Sequence, residues 1–274
     1  MTVTKSADRR AAVPPARYVQ HVMGMPISLA LRGRHTDDDW ATSAWQQVMS
    51  ELREIDLVFS TYRPDSVVSA LRRGEITVAD CPPEVAEVLA LGRAAEQESD
   101  GAFNLWLPDT DGKPVLDPSG VVKGWAVERA AAALRGLPDT DFCLSAGGDM
   151  TCRTIDTAGP PWRIGIEDPL DPSRIRAVIP LHNGAVATSG TAHRGQHLID
   201  ARTGRPPSGT ASVTVVAKSL TWADIDATAA YVQGRNAARW LATREGRTGF
   251  VVWDDGTTTT VTGRLQPLQS GAGQ

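Results

Sequence analysis

The sequence predicts a single α+β domain in which helices pack on mixed sheets. The first half of the chain carries apolar residues at helical spacing, and the second half is richer in β-branched segments bounded by Gly, Pro or Asp. No composition break, internal repeat or low-complexity linker divides the chain. We place the domain at residues 18–264, between a polar N-terminal segment (1–17) that we expect to be flexible and a Gly- and Gln-rich tail (265–274) that we expect to be disordered.

Composition excludes several classes of protein. The chain has 274 residues with 28 basic and 32 acidic side chains, so its net charge of −4 gives no global reason to bind nucleic acid or an anionic membrane. No apolar stretch approaches the roughly 18 residues of a membrane-spanning helix. The N-terminus lacks the apolar core of a secretory signal and the cysteine of a lipid anchor. Three cysteines without CxxC spacing argue against a disulfide framework or a structural zinc site, and we expect a cytoplasmic protein.

The first half of the domain is expected to contain one interrupted strand and three helices. Residues 19–33 alternate as a strand does, with an interruption near Gly24 and Pro26. Residues 36–39 supply an N-cap and an acidic first turn for a helix of about five turns, whose apolar residues recur at every fourth position. Start and stop signals predict two further helices, one opened by residues 82–84 and one spanning 122–134.

The second half is expected to contain most of the strands. Five short segments combine β-branched residues with Gly, Pro or Asp at their ends, namely WRIGIED, RAVIPL, GAVATSG, SVTVVAK and GFVVWDD. Two helices are predicted among these strands, near residues 222–233 and 235–245.

One candidate anion site follows Asp117. A turn through residues 118–120 leads into an apolar helix that carries Lys123 in its first turn. A helix start exposes unpaired N–H groups and the positive end of the helix dipole, which suit an anion and disfavour a cation. A bound phosphate between the helix start and Lys123 resolves this conflict. The alternative is a solvent-exposed lysine at the start of a helix.

A candidate metal site lies on the helix predicted near residue 224. Asp224 and Thr228 are four residues apart and therefore share one helix face. A carboxylate and a hydroxyl, together with backbone carbonyls, form an all-oxygen set that suits Mg²⁺, which binds phosphate substrates through few protein ligands. The alternative is that Asp224 caps the helix and Thr228 bonds to a backbone carbonyl.

A third candidate site combines several polar residues near the end of a short strand. His197, Asp200 and Arg202 stand together there, shortly after Ser189, and strand ends of this kind can line a pocket. The alternative is a plain turn whose polar side chains bond to backbone N–H groups. Ser189 lacks the glycines of a nucleophile elbow, so we do not expect it to act as a nucleophile. The double glycine at 147–148 fits either close approach of a ligand or a tight turn.

Taken together and in this order, these segments resemble the FAD:protein FMN transferases, the ApbE family. The intervals from Asp117 to Lys123 and from Asp224 to Thr228 match those of the family. The resemblance covers most of the chain and rests on seven ordered blocks: residues 23–25 (MGM), 59–62 (FSTY), 101–104 (GAFN), 116–125 (LDPSGVVKGW), 147–149 (GGD), 188–190 (TSG) with 197–204 (HLIDARTG), and 223–228 (ADIDAT).

The resemblance implies an ApbE or T-fold-like domain and a Mg²⁺-dependent reaction. In that reaction FAD is a co-substrate, its FMN half moves onto a threonine hydroxyl of an acceptor flavoprotein, and AMP is released. Two other functions are compatible with the same pocket. One is a Mg²⁺-dependent FAD pyrophosphatase, in which water replaces the threonine and gives FMN and AMP. The other is a non-catalytic FAD-binding carrier protein.

The resemblance also implies roles for individual residues. The metal is expected at Asp224 and Thr228, together with backbone oxygens near Gly120 and Ala227. Lys123 is expected to neutralise the phosphoryl oxygens, and His197 or Asp200 to accept the threonine proton, with pKa matching favouring the histidine. The residues expected to contact FAD are Met23, Tyr62, Ala102, Phe103, Asn104, Asp117, Lys123, Ser189, His197 and Leu198.

Several positions depart from the family pattern. Met25 replaces a threonine, Asn104 replaces a carboxylate, Pro118 and Ser119 replace a more flexible pair, and Ala201 replaces a proline. Each departure falls in the flavin-nucleotide pocket rather than on the metal face. We therefore expect the affinity for FAD or its orientation to change while the Mg²⁺ chemistry is preserved.

Overall fold

An antiparallel sheet of eight strands organises the structure, a computed structural model that describes residues 15–109, 111–191 and 198–263. The strands are β1 (Ala16–Val22), β2 (Met25–Gly33), β3 (Trp106–Pro108), β4 (Pro114–Leu116), β5 (Thr140–Ala146), β6 (Asp149–Arg153), β7 (Trp162–Asp168), β8 (Asp171–Leu181), β9 (Gly184–Gly190), β10 (Thr210–Ala217), β11 (Thr248–Trp253) and β12 (Thr258–Thr262). The large sheet has the order β1-β2-β5-β6-β9-β10-β11-β12, and β3-β4 and β7-β8 form two small hairpin sheets.

Helices cover one face of the large sheet. They are α1 (Asp39–Phe59), α2 (Val67–Arg72), α3 (Pro83–Glu98), α4 (Ser119–Ala130), α5 (Ala132–Arg135), α6 (Leu220–Val232) and α7 (Ala237–Leu241), with 3₁₀ turns at Val78–Asp80 and Gly234–Asn236. The main core lies between these helices and the sheet, where alternate residues of β2 (Ile27, Leu29 and Leu31) are fully buried. The hairpin β7-β8 covers part of the other face through Trp162 and its alternate neighbours on β7. This arrangement confirms the predicted α+β fold.

The first predicted strand is in fact a β-hairpin. Met23 and Gly24 both have positive φ angles, 54° and 70°, as a two-residue turn between antiparallel strands requires. The predicted interruption near Gly24 therefore reverses the chain. The N-terminal boundary was also placed too late, because Ala16 and Arg17, expected to be flexible, already pair with β2. The expected tail at 265–274 lies outside the described residues.

Several helix boundaries differ from the prediction for local reasons. The N-cap of α1 is Asp38, within the predicted capping segment 36–39, and its side chain accepts a hydrogen bond from the N–H of Ala41 at 3.0 Å. The third helix begins at Ser119, three residues earlier than predicted, because the Asp117 carboxylate accepts the N–H of Ser119 at 3.0 Å and satisfies an unpaired donor of the first turn. The helix predicted at 235–245 is a 3₁₀ turn followed by the short α7.

No helix in the described ranges combines the length and the apolar character needed to cross a bilayer.

Asp226 fixes α6 to the segment that follows it. Its carboxylate is 1% exposed and accepts hydrogen bonds from Arg244 at 3.2 Å and Arg247 at 2.8 Å. Asp226→Asn removes the charge that pairs with both guanidinium groups, of which Arg244 keeps a second partner in Glu98 at 2.5 Å. We expect the free energy of unfolding in urea to fall by about 3 kcal/mol. A loss below about 1 kcal/mol would show that solvent replaces the carboxylate at little cost.

Candidate active site

A cavity of about 320 Å³ opens beside the turn between β5 and β6. One wall consists of the loop after α3, the start of α4, and α6. Residues of β7, namely Ile164, Gly165, Ile166 and Glu167, contribute another part of the lining. The cavity therefore has an ionic part formed by the helical elements and a part with apolar side chains formed by the hairpin.

Three charged side chains meet in the ionic part of the cavity. The Lys123 ammonium lies between two carboxylates: it pairs with Oδ2 of Asp149 and stands 3.2 Å from Oδ1 of Asp224. Both aspartates are buried, at 3% exposure each. Lys123 is therefore not the solvent-exposed lysine of the alternative interpretation.

Burial and charge act against each other on these groups. Burial lowers the pKa of Lys123, but the carboxylates of Asp224 and Asp149 outweigh it and raise that pKa above the ordinary lysine value. For Asp224, burial raises the pKa, the Lys123 ammonium lowers it, and the Asp149 carboxylate raises it again, so the net pKa is higher than that of an ordinary aspartate. The ammonium therefore stays charged, but its single positive charge does not neutralise both carboxylates.

Close packing between α4 and α6 holds Asp224 in place. The N–H of Gly124 donates to Oδ2 of Asp224 at 3.0 Å. A Cβ atom at Gly124 would lie 2.8 Å from the Leu220 carbonyl oxygen and 2.9 Å from Cβ of Asp224. Only glycine lets the two helices approach so closely, and the approach aims one Asp224 oxygen at the helix and the other at Lys123.

The residues present fit a hard divalent cation. Asp224 and Thr228 line the cavity, as does Gly120, and Oγ1 of Thr228 lies 3.0 Å from Oγ of Ser189. Oδ2 of Asp149 is buried without a hydrogen bond of ordinary geometry among the described residues. A cation adds the positive charge that these oxygens lack, and carboxylate, hydroxyl and carbonyl oxygens are the ligands that Mg²⁺ accepts.

The protein alone does not complete the coordination of such a cation. Within the described ranges no group of three or more His, Cys, Asp or Glu side chains converges as metal ligands. Ala227 is fully buried and does not line the cavity, so only its backbone is a candidate ligand. Mg²⁺ commonly completes its coordination with water and with substrate phosphate.

Most of the residues expected to contact FAD line the same cavity: Ala102, Phe103, Asn104, Asp117, Lys123, Ser189 and Leu198. The loop that carries the first three is fixed to α3 and α6. The Ser99 hydroxyl accepts the N–H of Phe103 at 2.9 Å, and the Ser99 carbonyl accepts Nε2 of Gln233 at 2.8 Å. The Phe103 ring lies against Gly120, where a Cβ atom would be 3.0 Å from the ring.

The neighbouring Glu96 side chain explains why position 104 carries an asparagine where the family pattern has a carboxylate. Its side-chain amide donates to a Glu96 carboxylate oxygen at 3.0 Å, and its Oδ1 accepts the N–H of Trp106 at 2.8 Å. An aspartate at position 104 would set a second carboxylate against Glu96. The amide therefore matches this neighbour.

Asn104→Asp tests this explanation. We expect the variant to be less stable than the wild type by about 1 kcal/mol at pH 7, measured by urea unfolding, because a hydrogen bond is replaced by repulsion between like charges. Adding Glu96→Gln should recover most of the loss, because the Gln amide can donate to the new carboxylate. A single variant as stable as the wild type would contradict the explanation.

Four of the predicted site residues are not among the described residues that line the cavity, namely Met23, Tyr62, Asp200 and Ala227, and a fifth falls outside the described ranges. Tyr62 is 95% exposed, and Met23 occupies the β1-β2 turn and packs against the main core. Asp200 is engaged by Arg202, which donates Nε to it at 2.9 Å. His197 lies outside the described residues.

Asp200 is poorly suited to accept a proton. Burial raises the pKa of Asp200, but the hydrogen bonds from Arg202 outweigh it and hold the pKa below the ordinary value. The carboxylate also accepts the backbone N–H of Arg202 at 3.0 Å. This geometry favours the plain-turn interpretation of Asp200 over the catalytic one.

Asp149 is the site residue that the sequence analysis missed. The GGD block was interpreted through its glycines, which allow either a ligand or a tight turn. Gly147 and Gly148 do form a turn with positive φ angles of 56° and 100°, and that turn delivers Asp149 into the cavity. An ionisable residue directly after a double glycine was the available signal.

Comparisons of the chain with known proteins agree on one family. The model of the ApbE family matches residues 23–109 and 106–251. The "FAD:protein FMN transferase" of Salmonella typhimurium is 30% identical over 151 residues, which cover 52% of this chain and 43% of that protein. The protein of the same name from Haemophilus influenzae is 24% identical over 308 aligned positions, with 88% of each chain covered. The match therefore spans less than half of the Salmonella relative's length.

A solved structure shows the same fold. The crystal structure of the ApbE protein of Thermotoga maritima superposes with a TM-score of 0.77 at 21% identity, covering 90% of this chain and 97% of that one.

Proposed function

The chain belongs to the ApbE family, and from that premise we propose that it transfers the FMN moiety of FAD to a threonine hydroxyl of an acceptor flavoprotein and releases AMP. One observation carries the proposal: the Lys123 ammonium, on a side chain that is 19% exposed, is shared by two buried carboxylates that line the cavity. A divalent cation supplies positive charge that the two carboxylates lack, and a diphosphate supplies an anionic partner for the Lys123 ammonium. The names of the curated relatives support the same reaction.

The reaction exchanges the phosphoanhydride bond of FAD for a phosphate ester bond to threonine. The threonine oxygen forms a bond to the phosphorus of the FMN half, the P–O bond to AMP breaks, and the threonine proton passes to a base. Phosphoryl transfer of this kind depends on positioning and on neutralising charge. We assign the base to His197, because Asp200 is held ionised by Arg202.

The chain's own residues bind and orient the nucleotide in this proposal. Lys123 places a permanent positive charge on the diphosphate oxygens, where it is effective because the site is buried. Asp224 and Thr228, with backbone oxygens near Gly120 and Ala227, hold Mg²⁺, which when bound polarises the phosphoryl oxygens. Phe103 and Ala102 form one wall for the ligand, and the apolar residues of β7 exclude water on the other side.

Incubation with FAD, Mg²⁺ and a threonine-bearing acceptor flavoprotein tests the function. We expect covalent flavin fluorescence on the acceptor band in a denaturing gel, together with free AMP. Free FMN and AMP without labelling would instead assign an FAD pyrophosphatase, and bound, intact FAD would assign a carrier; either result contradicts the proposal.

Metal removal provides the matching prediction. We expect EDTA to abolish acceptor labelling and excess Mg²⁺ to restore it, because Lys123 alone cannot neutralise the diphosphate during transfer. Labelling that persists at full rate in EDTA would contradict the metal assignment while leaving the transferase assignment in place.

A further inference from the structure

Asp149 is a charged residue of the cavity to which the proposed function assigns no task. It is the first residue of β6 and is 3% exposed. Its Oδ1 accepts the N–H of Thr188 at 2.9 Å, whereas its Oδ2 pairs with the Lys123 ammonium and lacks any hydrogen bond of ordinary geometry from the described residues. One carboxylate oxygen is therefore fixed by the backbone and the other is directed at Lys123.

The position of Asp149 is set by the surrounding backbone and not by Lys123. The turn through Gly147 and Gly148 requires positive φ angles at both residues. The hydroxyl of Thr188, the residue that donates its N–H to Asp149, lies 2.8 Å from that of Thr214 on the neighbouring strand. Asp149 is thus part of a rigid strand end and can hold Lys123 whatever happens at Asp224.

A cation bound at Asp224 would bring a second positive charge close to the Lys123 ammonium. In the structure this ammonium is shared between Asp149 and Asp224. A divalent cation on Asp224 would compete for the same carboxylate and would repel the ammonium at short range in a buried site. The ammonium then needs a second anionic partner to remain in the cavity.

We propose that Asp149 is this partner: it retains and neutralises Lys123 when a divalent cation occupies Asp224, so that both positive charges reach the diphosphate together. Asp149 is then a positioning residue that acts through Lys123, not a metal ligand. The inference rests on the proposed function for the presence of the cation at Asp224.

A double-mutant cycle measured by calorimetric titration with Mg²⁺, without acceptor and with no turnover, tests the inference. Asp149→Asn should weaken Mg²⁺ binding at least about tenfold, because the whole ammonium charge then falls on Asp224. Lys123→Met removes the competing charge, so the double variant Lys123→Met/Asp149→Asn should bind Mg²⁺ within about threefold of the wild type.

Asp117→Asn is the matched control. Asp117 lines the same cavity, but its carboxylate accepts hydrogen bonds from the N–H and the hydroxyl of Ser119, at 3.0 and 2.5 Å. The variant removes one negative charge from the cavity, and we expect Mg²⁺ affinity to change by less than about threefold. An effect as large as that of Asp149→Asn would show that only the total charge matters and would overturn the inference.

The remaining outcomes separate the inference from the function. If the double variant binds Mg²⁺ as weakly as Asp149→Asn does, Asp149 is a direct metal ligand. If Asp149→Asn binds Mg²⁺ with unchanged affinity, Asp149 has no role in cation binding. Either result overturns the inference and leaves the proposed function in place. If Asp149→Asn fails to fold, as judged by its thermal melt, Asp149→Ser enters the same cycle with the same expected results. A wild type that binds no Mg²⁺ with or without FAD overturns the metal part of the proposed function and this inference with it.

Discussion

Asp224→Asn is expected to reduce acceptor flavinylation by about a thousandfold, the scale on which loss of one essential electrostatic contact lowers a rate. The amide keeps the size of the side chain, and its carbonyl oxygen can still accept the N–H of Gly124. It removes the negative charge that binds the cation and leaves Asp149 as the counter-charge of Lys123. The measurement is the initial rate of covalent labelling at saturating Mg²⁺, with Mg²⁺ affinity from calorimetry beside it.

Asp226→Asn is the matched control for this variant. Asp226 is two residues further along α6, equally buried, and paired with Arg244 and Arg247 outside the cavity. We expect Asp226→Asn to lose stability but to retain Mg²⁺ binding. We expect Asp224→Asn to keep its stability but to lose Mg²⁺ binding. If both variants lose Mg²⁺ binding in proportion to their loss of stability, the specific role of Asp224 is contradicted.

Gly124→Ala is expected to lower the free energy of unfolding by about 2 kcal/mol and to weaken Mg²⁺ binding at least about tenfold. The added methyl group meets the backbone carbonyl of Leu220 at 2.8 Å, and a backbone atom cannot move aside without shifting α6. That shift displaces Asp224 from Lys123 and from the Gly124 N–H. Urea unfolding and Mg²⁺ calorimetry measure the two effects separately.

Gly92→Ala controls for crowding in general. A Cβ atom at Gly92 of α3 would lie 2.1 Å from Cδ1 of Leu105, the far end of a flexible side chain. We expect some loss of stability and no change in Mg²⁺ affinity, since α6 is not displaced. Wild-type Mg²⁺ affinity in Gly124→Ala would show that the close approach of α4 and α6 does not position Asp224.

Local patterns predicted the helices better than the central strands. α1 carries apolar residues at helical spacing, and its N-cap, Asp38, lies within the predicted capping segment 36–39. β5 was missed because it lies inside the sheet and is buried on both faces, so its apolar residues run consecutively around Cys143 instead of alternating. Periodicity alone does not identify such a strand.

The site was predictable where its residues lie close together in the chain. Asp224 and Thr228 share a face of α6 because they are one helical turn apart, and both line the cavity as expected. The contact of Lys123 with Asp149 was not predictable in this way, because it joins α4 to a different element through the tertiary fold. Tyr62 was predicted to contact FAD because it matches a family motif, but its side chain is 95% exposed. A motif match does not predict how exposed a side chain is.

A crystal structure with FAD and Mg²⁺ tests the central claim most directly. We predict Mg²⁺ bound to the carboxylate of Asp224 and the hydroxyl of Thr228 at about 2.1 Å, with the Lys123 ammonium on the diphosphate and still in contact with Asp149. A diphosphate bound away from Lys123, or a cation that does not touch Asp224, would contradict the account.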